Sequence, residues 1–119
     1  MPSITKMSNA PLNNFDQVLE VIRNFTEERD WDQFHSPSNL SKSIVIEACE
    51  LLECFQWGDD YNREDVCDEL ADVMVYCLNM ADKLGVRMED IILAKMEKNR
   101  KKYPVEKARG NSLKYDQYD

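Results

Sequence analysis

Turn-forming residues are scarce in this chain, and that scarcity narrows the fold class first. There are 3 glycines and 4 prolines in 119 residues, with few runs of β-branched side chains. Such a composition favours helices joined by short loops over sheets linked by tight turns. There is a single histidine, His35. The 4 cysteines, Cys49, Cys54, Cys67 and Cys77, form no Cys-x-x-Cys pair. Zinc-site spacing is therefore absent, and a disulfide framework is disfavoured. All four sit among apolar neighbours, where small buried thiols in a reducing compartment are expected. No apolar run has the length of a signal peptide or a membrane span, so the expected location is cytoplasmic, with no membrane partner.

Positive charge is also in short supply. The net charge is −8, which argues against a nucleic-acid polymer as partner. Residues 1–82 hold 5 Lys/Arg against 17 Asp/Glu, whereas residues 83–119 hold 10 against 6. An acidic body followed by a basic segment can gather cations in one place and hold an anion beside them.

What is present describes one ordinary folded domain, with 43% hydrophobic and 32% charged residues. Its core is modest for its size, and association with copies of itself would supplement it. Residues 1–12 read as a loose leader, 13–104 as a helical domain and 105–119 as an extended tail. A first helix starts behind Asn13 or Asn14, carries the stripe Phe15, Val18, Leu19, Ile22 and Phe25, and ends near Arg29 or Asp30. Trp31–Pro37 is too irregular for a helix. Ser38 or Asn39 can cap a second helix that runs from about Leu40 to Trp57 before Gly58 breaks it. Asn62, with Asp65 three residues on, opens a third helix that Gly85 stops. A fourth covers Met88 to Lys102 and is closed by Tyr103-Pro104. The expected fold is all-α, an antiparallel four-helix bundle.

Within the second and third helices, acids interrupt otherwise apolar faces. Glu47 and Glu50 lie about 60° apart around a helix, with Leu51, Ile44, Phe55, Ala48 and Leu52 to one side and Ile46 and Trp57 to the other. Glu69 and Asp72 repeat that placement beside Val73, Val66, Leu70 and Cys77. Ordinary solvated glutamates need no explanation, but these have no lysine or arginine in helical phase with Glu47 or Glu50. If the apolar faces meet, four carboxylates converge and repel unless protonated or bridged by a cation. Oxygen-only ligands suit Mg²⁺, with Mn²⁺ as a substitute, rather than zinc. A di-iron bundle would need a histidine three residues after a glutamate on two helices, and His35 stands in a loop. Carboxylate-bound Mg²⁺ keeps water and takes substrate phosphates, so the residues imply a metal-dependent phosphohydrolase. A helical interaction module with a basic partner is the alternative from another class; it accounts for the charge but not for acids that border the apolar faces.

Glu47-x-x-Glu50 followed by Glu69-x-x-Asp72 resembles the metal motif of the MazG-like, all-α nucleoside triphosphate pyrophosphohydrolases. The flanking blocks resemble the dCTP pyrophosphatase branch: Arg29-Asp30-Trp31-Asp32-Gln33-Phe34-His35, Glu53-x-Phe55-Gln56-Trp57, Lys95 through Val105, and Arg109-Gly110 before Lys114-Tyr115. The resemblance spans about residues 14–115, with the acidic stretch Gly58 to Asn62 departing from it. It implies hydrolysis of a deoxynucleoside triphosphate, dCTP or a modified dCTP, to monophosphate and pyrophosphate; the same reaction on dUTP or on a broad range of dNTPs is the rival. It further implies that Glu47, Glu50, Glu69 and Asp72 are the metal ligands and catalytic acids. By the same resemblance, Trp31, His35 and Trp57 form the base pocket, with Phe34 and the substrate-binding candidate Asn39 nearby. Tyr76, Lys95, Asn99, Arg100 and Tyr103 then serve the sugar and phosphates. The resemblance also implies homodimers or homotetramers with sites formed between subunits.

Overall fold

The computed structural model describes residues 14–118, and every regular element among them is helical. The long helices are α1 (Phe15–Glu28), α2 (Pro37–Glu53), α3 (Arg63–Lys83) and α4 (Met88–Lys102); a short α5 (Val105–Ala108) follows. Two compact units divide the chain, Met1–Val86 and Arg87–Asp119. The expected leader lies outside the described residues.

In the first unit, local chemistry sets the helix ends. Asn14 Oδ1 accepts from Gln17 N–H at 3.0 Å and opens α1. That helix closes with a left-handed residue that is not glycine, Asp30 at φ 54°. Asp30 N–H donates to Glu27 O, and Trp31 N–H reaches back to Thr26 O at 3.1 Å. This paired closure satisfies carbonyls that the helix end would otherwise leave orphaned, and it fixes where Trp31 begins. The irregular segment contains one 3₁₀ turn, Asp32–Phe34, tied at its ends by Gln33 Nε2 donating to Asp30 O and by Lys83 pairing with Asp32 at 2.7 Å.

Helix α2 begins earlier than the sequence suggests. Ser36 is its cap, with Oγ accepting from Asn39 N–H, and Pro37 occupies the first helical position. Proline fits there because the missing N–H is one the first turn leaves unbonded anyway. The helix also ends earlier, at Glu53; Cys54 to Trp57 form turns that lead to Gly58 at φ 142°. Asn62 caps α3 through Asp65 N–H at 3.1 Å. At its far end Gly85 takes φ 70°, with Gly85 N–H donating to Asp82 O and Val86 N–H to Ala81 O.

Helix α3 packs mainly on α2 and more lightly on α1. Among the described residues the buried apolar set is small: Ile22, Leu40, Leu78 and Ala81, of which Leu40 is fully buried. Three buried polar residues, Asn24, Thr26 and Asn79, sit beside it. Val45, Ile46, Leu52, Trp57 and Leu70 remain exposed on α2, α3 and the turn between them. The cysteines depart from expectation. Cys49 and Cys67 are exposed, and Cys54 and Cys77 are half-buried, because parts of the apolar surface of α2 and α3 stay outside their mutual seam.

The second unit begins with Glu89 and Asp90 in the first turn of α4 and ends that helix with Arg100, Lys101 and Lys102, each sign complementing the helix dipole. Beyond Pro104 the chain is not simply extended as expected. It forms α5 and a 3₁₀ turn at Tyr115–Gln117, and Tyr103 meets Tyr115 and Tyr118 edge-on at 6.4 and 6.1 Å. The aromatic trio gives these residues something to fold against, which a polar reading of the tail overlooks. No helix among the described residues is long and apolar enough to cross a membrane.

Candidate active site

The seam between α2 and α3 brings acids from both helices together. One carboxylate oxygen from each of Glu47, Glu50 and Glu69 lies within 4.8 Å of the others. Glu47 Oε2 and Glu69 Oε2 are buried with no hydrogen-bond partner. Oxygens in that state cost free energy unless a proton or cation meets them.

Charge effects agree with this geometry. Proximity to Glu50, close enough to share a proton, together with burial and the charges of Glu50, Asp72 and Glu69, pushes Glu47 up to about 7. Burial first, then the Glu50 carboxylate, raises Glu69. Burial raises Tyr76, and the charges of Glu47, Asp72 and Glu50 add to it, so its phenol stays protonated well beyond neutral pH. The donor set is therefore all oxygen, anionic and under-satisfied. It fits a hard divalent cation such as Mg²⁺ or Mn²⁺.

Beside the acids lies a cavity of about 450 Å³ with Glu47, Asp72, Trp31, His35 and Tyr76 in its walls. Its remaining walls are mostly apolar, from Val21, Ile22 and Phe25 of α1 and Val75 of α3. Trp31 meets Phe25 edge-on at 5.7 Å, and His35 meets Tyr76 at 6.4 Å. A shallower hollow of about 440 Å³ shares Trp31, His35 and Tyr76 and adds Asn39, Lys42 and Ser43. Flat rings, a few polar groups and an anionic rim describe a pocket for a heteroaromatic ligand that carries its charge at one end.

The sequence-derived residues thus divide. Glu47, Glu50, Glu69, Asp72, Trp31, His35 and Tyr76 gather around the acids and the adjoining cavity. Asn39 borders the shallower hollow, and its Nδ2 donates to Phe34 O at 2.9 Å, which holds the loop. Trp57 is 93% exposed and lines neither hollow. Lys95, Asn99, Arg100 and Tyr103 belong to the second unit. There Lys95 borders an apolar groove with Ile91, Ile92 and Met96, Arg100 pairs with Glu97, and Asn99 Nδ2 approaches Met96 Sδ at 3.8 Å. The sequence reading missed the contribution of Thr26 and Asn79 to the larger cavity. Asn79 follows Asp72 by seven residues and Tyr76 by three on the same helix, a spacing that could have flagged it.

Comparisons with known proteins identify relatives of the chain as a whole. Residues 42–117 match the MazG-like family. dCTP pyrophosphatase 1 of Bos taurus is 38% identical over 114 residues, spanning 84% of this chain and 68% of its own length. The Homo sapiens protein of the same name is 35% identical over 120 residues, spanning 92% of this chain and 71% of its own. A pyrophosphatase from Archaeoglobus fulgidus DSM 4304, known from its crystal structure, superposes with a TM-score of 0.72 at 34% identity and covers 82% of this chain and 99% of that one. This chain belongs to the MazG-like family.

Proposed function

We propose that the protein is a nucleoside triphosphate pyrophosphohydrolase that cleaves a deoxynucleoside triphosphate, dCTP or a modified dCTP, to the monophosphate and pyrophosphate. The observation that carries this reading is the convergence of Glu47, Glu50 and Glu69 beside a ring-lined cavity. The names of its relatives supply the substrate class.

Glu47, Glu50, Glu69 and Asp72 would hold Mg²⁺, with Mn²⁺ as a substitute. When bound, the ion neutralises phosphate oxygens and lowers the pKa of coordinated water. The protein's own groups do the rest. One of the four carboxylates orients the attacking water and takes its proton. Tyr76, kept protonated by burial and the nearby acids, donates a hydrogen bond to a sugar or phosphate oxygen. Trp31 stacks on the base while His35 and Asn39 meet its polar edge or hold the loop that does. The apolar walls shared by α1 and α3 exclude water from the base. Lys95, Asn99, Arg100 and Tyr103 serve the phosphates and sugar, consistent with the basic balance of residues 83–119.

The enzyme is cytoplasmic and acts as a homodimer or homotetramer, with residues 13–104 as an antiparallel bundle and 105–119 as a tail. A small buried core and exposed Val45, Ile46, Leu52 and Leu70 support association. Trp57, open in the single chain, joins the base pocket of a site shared between subunits.

The test is incubation with a panel of NTPs and dNTPs, with and without Mg²⁺, followed by separation of products. Metal-dependent release of dCMP and pyrophosphate is expected, with dCTP turned over fastest. Preference for dUTP would reassign the base, and no turnover of any nucleotide would remove the enzyme reading.

A further inference from the structure

We infer that Asn79 is a base-reading residue, whose side-chain amide hydrogen-bonds the 3,4-edge of the substrate pyrimidine. The inference rests on the proposed nucleotide chemistry and extends it to a residue that the acid motif does not include.

Asn79 lies in α3 with 8% of its surface exposed, and it lines the same cavity as Glu47, Asp72 and Trp31. None of the side-chain hydrogen bonds among the described residues involves its amide. An amide has two donors and an acceptor that water satisfies in the unfolded chain. The fully enclosed unpartnered side-chain atoms among the described residues are Asn24 Nδ2, Glu47 Oε2 and Glu69 Oε2, so the Asn79 amide keeps access to the cavity, in a wall shared with Ile22, Phe25 and Val75 where a leucine would otherwise suit. An unpartnered amide facing a cavity is ready for a ligand to satisfy it.

Position along the helix says which part of the ligand that is. Asp72, Val75, Tyr76 and Asn79 follow one another at helical spacing on a single face and all line the cavity. From Asp72 to Asn79 the helix rises about 10 Å. That span is comparable to the reach from the α-phosphorus of a nucleotide to the far edge of its base. With phosphates at the acids and the ring near Trp31 and His35, the far edge of the base arrives at Asn79. Thr26 of α1, also buried, brings a hydroxyl to the same cavity.

The chemistry of the two edges matches. Cytosine offers N3 as acceptor and its 4-amino group as donor; Asn79 Nδ2 donates to the first and Oδ1 accepts from the second. Rotating the amide by half a turn presents the reverse order, which suits uracil. Asn79 therefore reads a hydrogen-bonding pyrimidine edge rather than cytosine alone. Choice between cytosine and uracil falls to other groups.

The test uses the full-length protein with dCTP, dUTP and the 2-pyrimidinone deoxynucleoside triphosphate, which lacks a substituent at position 4. The wild type is expected to favour dCTP over the 2-pyrimidinone nucleotide by roughly tenfold or more in kcat/KM. Asn79→Leu should bring that ratio to within about twofold, mostly by lowering kcat/KM for dCTP. Thr26→Val, which leaves the amide in place, should change the ratio less. If Asn79→Leu does not fold, judged by circular dichroism, Asn79→Ala carries the same expectation. A folded Asn79 variant that keeps the wild-type ratio overturns the inference, since a role in packing alone would alter stability without altering discrimination. Failure of the wild type to hydrolyse any of the three nucleotides would instead strike at the proposed function.

Discussion

Helix α3 treats its acids in two ways. Near its C-terminal end, Asp82 faces Arg23 of α1, whose Nε donates to Oδ2 at 3.0 Å while a second guanidinium nitrogen meets Oδ1. That fork of hydrogen bonds holds the Asp82 carboxyl below its usual range and raises Arg23. Nearer its N-terminal end, Glu69 meets other acids, keeps a buried oxygen without a partner and is pushed the opposite way. The first arrangement is complete within the folded chain, whereas the second leaves Glu47 Oε2 and Glu69 Oε2 without a partner among the described residues. Carboxylates that stabilise a fold and carboxylates that await a ligand are thus told apart by their partners, not by their residue type.

The sharpest way to break this contrast is to neutralise one acid at the unsatisfied end. Glu47→Gln should lower kcat by at least about a hundredfold while helical circular dichroism persists. A variant with full activity would remove Glu47 from the site. A smaller effect is expected at the pocket wall. Trp31→Ala should cost about tenfold in kcat/KM for the preferred base, because a stacking face is lost, and should flatten base selectivity. Unchanged selectivity would separate Trp31 from base recognition.

The two ends should also titrate in opposite senses. Glu47 has its folded pKa raised from 4.5 to about 7, so the folded state holds a proton that the unfolded chain releases. Metal-free protein should therefore lose stability as pH rises from about 4.5 to about 7, and Glu47→Gln should reduce that loss. Thermal melts in chelator across this range measure it; a melting temperature that rises with pH in wild type and variant alike would contradict the account. Added Mg²⁺ should raise the melting temperature more at pH 8 than at pH 5.5, where protons compete for the same oxygens. Asp82 has its folded pKa lowered, so its contribution is present above the unfolded value and is lost as pH falls through the folded one. Because the pair is partly exposed, Asp82→Asn should cost no more than about 1 kcal/mol near neutral pH, and less at acid pH, by denaturant titration.

Local signals made much of the fold legible. Asn14, Asn62, Gly85 and Pro104 mark helix ends where their side chains or backbone preferences demand. Pro37 misleads because proline both discourages helix before it and opens one at its own position. Glu47, Glu50, Glu69 and Asp72 stood out because their spacing within each helix is a local property. Asn79 and Thr26 did not, since the cavity they share forms where α1 meets α3, and that packing is nonlocal. The exposure of Trp57 follows from the early end of α2, which no residue between Cys54 and Trp57 announces.

The most direct test of the central claim is hydrolysis of dCTP in ¹⁸O-labelled water with Mg²⁺ present, followed by mass analysis of both products. Attack at the α-phosphorus beside the carboxylate cluster predicts label in dCMP and none in pyrophosphate. Label in pyrophosphate, or release of dCDP with labelled inorganic phosphate, would contradict it.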